Sequence, residues 1–393
     1  MTAGGDRAGP PGPTLAERLA GGLAAVEAID PGDGYDPAVP AALVASGLNR
    51  LCVPAELGGL GGGLVEAVDV LGALGAVSGS AALGFAMHLH VTGSLFESSG
   101  WPSDLRDWLT GLILDGGLLN SAATEEGSGS PARGGLPATT ATPVPGGYAL
   151  TGEKTWTTWL PALRAAQVTA EIPGRGIANF VVDLGAAGIE RLPGFDALGM
   201  RGSASGRLLL RDVFVPDERL IGVRQPSEPD SRGPAPSAWF GAAVAAVYLG
   251  VGEGARRDVV RWAVQRRPGD GSAAVADMPT IGVRLGRIDA GLRAARIVLE
   301  TTARRWQAAG PGARAALLPE ISLAKVTATN AAVMATDEAL RIAGGPGFLA
   351  GRLERAFRDA RGGLINPPLD DIAYQGFARR LVDGQRSKVP GSS

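Results

Sequence analysis

Three long stretches toward one end of the chain carry a helical period: Trp239 to Gln265, Met278 to Gln307 and Ala313 to Ile342. In the middle one, Ile281, Leu285, Ile288, Leu292, Ile297 and Leu299 give a mostly apolar face. Long helices with short connections bury such faces against one another, which predicts a four-helix bundle. The fourth member is a short helix, Asp371 to Val382, after the break at Asn366-Pro367-Pro368.

The rest of the chain divides in two. From Thr14 to about Gly116 the pattern is helical. Thr14 and Glu17 form a candidate capping box, Ala41 to Leu48 reads as a short helix, Leu64 to Glu97 breaks near Gly79, and Asp104 to Leu114 follows. From Leu118 to Arg224 the runs are short and turn-bounded: Tyr148 to Trp156, Ala166 to Glu171, Ala178 to Leu184 and Leu208 to Val215, with Gly146-Gly147 as a hairpin turn. The expected fold is α+β: an N-terminal helical domain (14–117), a β-barrel-like middle domain (118–235) and the bundle (236–385).

With 45% apolar and 19% charged residues among 393, the chain is globular rather than disordered. A net charge of -2 without a basic stripe argues against nucleic acid as a partner. The single cysteine, Cys52, excludes a disulfide framework and sits in an apolar setting. The Gly/Pro-rich start lacks an apolar targeting core, and apolar runs are broken by Arg, Glu, Gly or Pro. A cytoplasmic protein without membrane insertion is expected. The 60 glycines mark thin helices able to pack closely.

Two segments can carry chemistry. Thr124-Glu125-Glu126-Gly127-Ser128-Gly129-Ser130 offers backbone N–H and hydroxyl groups where the chain enters the β zone, suited to a flavin edge or a phosphate-bearing ligand. Gly152 to Thr158 offers Trp156 as a wall for a planar cofactor and Thr158 as a hydrogen-bonding hydroxyl. No Rossmann glycine pattern or Walker loop is present, and no metal set is assigned.

These segments, with Gly199-Met200-Arg201-Gly202-Ser203, Asp212 to Pro216, Gly344-Gly345-Pro346-Gly347-Phe348 and Arg358-Asp359-Ala360, resemble in order the motifs of the acyl-CoA dehydrogenase family. The resemblance covers roughly Leu15 to Val382. It implies FAD, an acyl-CoA or carrier-bound acyl thioester, a homodimer or homotetramer, and an electron-transfer flavoprotein partner. By the same resemblance Ala123 and Thr124 bind the flavin edge, Trp156 stacks beside the ring, and Thr158 touches it. Ser130 lies on the thioester side, Arg266 reaches cofactor phosphates across a subunit interface, and Gly344, Gly345 and Gly347 let a neighbouring backbone approach FAD.

The departures concern the chemistry. The family's glutamate base falls on Pro367, preceded by Asn366, and the position used by a minority of members falls near Gly241. The R-x-x-F-G segment is Arg266-Arg267-Pro268-Gly269-Asp270, and Pro279 stands where a glutamine usually opens the next helix. Glu126 and Pro131 replace a proline and an aspartate. FMN or a transiently bound reduced flavin is therefore the alternative cofactor. Replacement bases are Asp370 and Asp371, with a helix cap as the other role of Asp371. Tyr374 is a substrate-side hydroxyl candidate. His88 and His90 diverge by roughly 200 degrees on a helix, so one faces the cleft, and His88 is carried as the catalytic candidate. The first functional reading is acyl-thioester dehydrogenation with a displaced or missing base. The second is a two-component flavin monooxygenase fed by a flavin reductase, and the third is a non-catalytic scaffold.

Overall fold

In the computed structural model, residues 12–29, 32–126, 136–269, 271 and 273–386 are described. Five helices come first: α1 (Leu15–Ile29), α2 (Ala38–Ala45), α3 (Leu64–Val77), α4 (Gly79–Glu97) and α5 (Ser103–Leu114). The capping box forms: the Thr14 N–H donates to Glu17 Oε2 at 2.7 Å and the Glu17 N–H to Thr14 Oγ1 at 3.3 Å. The break falls at Ser78, whose hydroxyl accepts from the Ala81 N–H and starts α4.

Eight strands follow: β1 (Leu118–Ala122), β2 (Thr140–Val144), β3 (Gly147–Thr157), β4 (Leu163–Ile172), β5 (Gly176–Asp183), β6 (Ile189–Leu192), β7 (Gly206–Pro216) and β8 (Leu220–Arg224). They pair in the order β6-β7-β3-β2-β4-β5-β8, with β1 parallel to β4. The β2–β3 hairpin turns through Gly146 at φ 79°, which glycine adopts without strain.

The remaining elements are helical: α6 (Ala235–Gln265), α7 (Pro279–Ala308), α8 (Pro311–Arg314), α9 (Leu318–Ala343), α10 (Gly345–Phe348), α11 (Arg352–Ala360), α12 (Gly362–Ile365) and α13 (Asp370–Arg386). The long helix α6 is the hub, packed by α3, α4, α7, α9 and α11. It is long and apolar enough to cross a membrane, and is mostly buried inside the protein. The fourth bundle position is shared: α11 packs on both α6 and α9, whereas α13 packs on α9.

Glycine sets the closeness of these helices. A Cβ on Gly250 of α6 would lie 2.3 Å from the Gly72 carbonyl and 2.9 Å from Gly75 Cα on α3. The β-domain docks on α4 in the same manner, with a Gly84 Cβ falling 2.1 Å from the Trp159 ring. Trp159 is thereby fixed just beyond β3, next to Trp156 and Thr158.

Candidate active site

The floor of the site is the junction between β1 and β3. The Thr155 N–H donates to the Thr124 carbonyl at 2.8 Å, and Asn120 Nδ2 donates to the Thr158 carbonyl at 2.9 Å. These bonds bring Ala123 and Thr124 beside Trp156 and Thr158, as the sequence suggested. Glu125, next in the motif, is buried and turned inward, where Lys154 pairs with it. The Ala138 and Thr139 N–H groups and the Thr139 hydroxyl also donate to Glu125 at 2.6–3.0 Å. Burial raises the Glu125 pKa, but these donors outweigh it and hold the carboxyl at about 2. Glu125 thus ties the motif down and leaves Thr124 at the edge.

Trp156 has a positive φ of 56°, and its side chain is 46% exposed. A bulky residue in that backbone region is strained, a feature that clusters at functional sites. The Thr158 hydroxyl is 2.9 Å from Ser205 Oγ, itself 2.9 Å from Ser203 Oγ. An exposed indole, a buried hydroxyl and a turn of backbone at 123–124 fit the edge of a flavin.

Elsewhere on α4, the helix packs against the start of α6. His90 meets Phe240 edge-on, with ring centroids 5.4 Å apart. Its ring is buried against the Ala86 and Met87 carbonyls of the preceding turn, and burial pushes its pKa down to about 4. His88 points elsewhere. Its Nδ1 accepts from the Leu119 N–H at 3.1 Å, so Nε2 carries the proton and donates to the Asn49 carbonyl at 2.8 Å. Fully buried and with both nitrogens occupied, His88 is a packing residue, which corrects its candidacy as a catalytic group. The two histidines do diverge on α4, His88 toward Leu119 and Asn49 and His90 toward Phe240. About two turns further along α4, Glu97 accepts from the indoles of Trp239 (2.6 Å) and Trp306 (2.9 Å) and pairs with Arg314 at 3.3 Å.

Both usual base positions lack a carboxylate, and both are structurally committed. A Cβ on Gly241 would lie 2.8 Å from Ile321 Cγ2, so α9 fills the space a longer side chain needs. Asn366, just before Pro367, donates to Tyr248 Oη and to the Gly362 carbonyl, each at 2.9 Å. Asp370 is not a free base: one oxygen faces the buried Lys325 at 3.4 Å and the other accepts from Asn330 at 2.6 Å. Asp371 is exposed in the first turn of α13, and neither its candidate cap bond nor another side-chain bond forms. Tyr374 is exposed on the same helix and packs edge-on against Phe377.

Arg266 caps α6 with its side chain exposed, and Gly344 (φ 60°) and Gly345 are exposed beyond α9. Ser130 lies outside the described residues.

Sequence profiles of the acyl-CoA dehydrogenase N-terminal, middle and C-terminal domains match residues 16–114, 120–213 and 242–364. A putative acyl-CoA dehydrogenase of Bacillus subtilis, YdbM, is 32% identical over 86% of this chain and 87% of its own length. The chain belongs to the acyl-CoA dehydrogenase family. The family's fold is matched by butyryl-CoA dehydrogenase of Megasphaera elsdenii, at TM-score 0.81 and 21% identity, covering 94% of this chain and 98% of that one. TdsC of Paenibacillus sp. A11-2 with FMN and indole is matched at TM-score 0.81 and 22% identity, covering 94% and 96%. This acyl-CoA dehydrogenase family member is a flavin-binding oxidoreductase. Which of the two histidines meets Phe240 is not visible in the sequence, because both lie on the same turn of α4.

Proposed function

We propose that the protein oxidises an acyl thioester with a bound flavin as electron acceptor, the substrate α-proton passing to His90 rather than to a glutamate. The observation carrying this reading is the His90 imidazole, kept neutral by burial and packed edge-on against Phe240, next to position 241. A bound flavin supplies the two-electron acceptor. Trp156, Thr158 and the backbone at 123–124 hold its edge; His90, neutral at neutral pH, has a lone pair for the proton. FAD is the expected flavin, with FMN the alternative because the Arg266–Asp270 segment departs from the family pattern.

A second reading, oxygen chemistry on a reduced flavin delivered by a reductase, is favoured by Ile321 filling the space at Gly241. One experiment separates the two. Under anaerobic conditions a panel of acyl-CoAs should bleach the oxidised flavin, and His90→Asn should slow bleaching by about 100-fold or more while flavin stays bound. A flavin that no acyl-CoA bleaches, together with oxygen uptake coupled to hydroxylation when reduced flavin is supplied, replaces the first reading by the second.

We further propose that the working form is a homodimer or homotetramer, the dehydrogenase passing its electrons to an electron-transfer flavoprotein. Phe348 and Leu349, 81% and 69% exposed beside Gly344 and Gly345, support an apolar contact there, which Arg266 of another copy can join. Sedimentation should give a dimer or tetramer, and Phe348→Glu with Leu349→Glu should shift it toward smaller species and weaken flavin retention. An unchanged mass would remove this contact from the assembly.

A further inference from the structure

We propose that the loop 193–205 is a brace for the flavin edge, in which Phe195 backs the Trp156 indole and Ser205 orients the Thr158 hydroxyl. The inference rests on the flavin reading above and extends it to residues outside β1 and β3.

The rings of Trp156 and Phe195 stack with centroids 4.5 Å apart and planes inclined by 26°. Phe195 is itself 41% exposed, so this pair stands in solvent rather than in the core. Rings at that spacing are already in contact, and a flavin cannot slide between them. The free face and edge of Trp156 are what remain for the cofactor. Phe195 therefore acts through Trp156: it is a positioning residue, fixing the indole plane that the positive φ turns outward.

The same loop controls Thr158. The hydroxyls of Thr158, Ser205 and Ser203 form a chain of two 2.9 Å contacts. Each hydroxyl has one proton to donate, so when Ser205 donates to Thr158, the Thr158 proton is directed outward. The loop is held along its length. A Gly194 Cβ would lie 2.2 Å from the Ser205 carbonyl, so the segment beside Phe195 lies directly on Ser205. Arg201 pairs with Asp196 and donates to the Ala197 carbonyl at 2.7 Å. The Met200 N–H donates to the buried Asp359 at 2.5 Å, and the Ser203 carbonyl accepts from the Trp159 N–H at 2.8 Å. One rigid segment thus reaches both side chains assigned to the flavin edge.

The test is flavin binding itself. FMN and FAD are titrated into the flavin-stripped full-length chain, following quenching of flavin fluorescence and the position of the visible band. Phe195→Ala should weaken binding roughly two- to tenfold, the range of an aromatic pair, and shift the band. Phe195→Tyr, which keeps the ring, should restore both, and the urea midpoint of all three chains should agree because Phe195 is half-exposed. Ser205→Ala should move the band with less loss of affinity. Phe195→Ala binding like wild type, while Trp156→Ala loses flavin, overturns the brace and leaves the flavin reading standing. A wild-type chain that binds neither flavin sinks that reading and the brace with it.

Discussion

Lys154→Met is expected to destabilise the protein by about 3–5 kcal/mol, because it breaks a buried ion pair by removing one partner. Lys154 is fully buried and pairs with Glu125, which also accepts from Ala138 and Thr139. Those donors cannot neutralise the carboxylate. Replacing both partners, Lys154→Met with Glu125→Leu, should recover much of the loss, since an apolar pair of similar volume has no charge to desolvate. The pH dependence separates these chains further. Glu125 is held at about 2, below its ordinary 4.5, so its contribution is complete above 4.5 and is lost as pH falls from there toward 2. The doubly substituted chain should lack that component of acid lability, measured as urea unfolding against pH. Equal acid slopes in wild type and double variant would contradict the assignment.

Gly250→Ala is the second large effect. The added methyl would meet the Gly72 carbonyl and Gly75 Cα on α3, both backbone atoms that no rotamer change can move aside. Overpacking of this kind costs about 1–3 kcal/mol, and the upper end is expected here because two long helices must separate. Gly282→Ala on α7 is the control, as nothing lies within 4 Å of its Cβ position. There the substitution should be neutral or stabilise by up to about 1 kcal/mol, through helix propensity. Thermal unfolding of the two variants should therefore move in opposite directions. Two variants that behave alike would mean that the α3–α6 contact can relax.

The helical period and the short turn-bounded runs made the three-part architecture readable, because both follow from local burial patterns. The meeting of the two motif segments has the same origin: Thr124, Trp156 and Thr158 are close in sequence to the β1–β3 junction that joins them. What was not readable depended on contacts distant in sequence. Asp370 looked like an available carboxylate until Lys325 and Asn330, both on α9, were seen to hold it. His88 and His90 are alike locally, and only Leu119, Asn49 and Phe240 distinguish them. Phe195 carried no motif at all; its stacking partner lies 39 positions earlier in the chain.

Ile321 against Gly241 also bears on reversibility. A single change that restores a glutamate at position 241 would collide with α9 before it could serve any substrate. A smaller residue at 321 would have to come first, and that change alone leaves a void in the bundle at the usual cost of a core truncation. The route back to carboxylate chemistry through α6 thus needs two steps in order, the first unfavourable. A carboxylate at this point of α6 is closed to any single substitution.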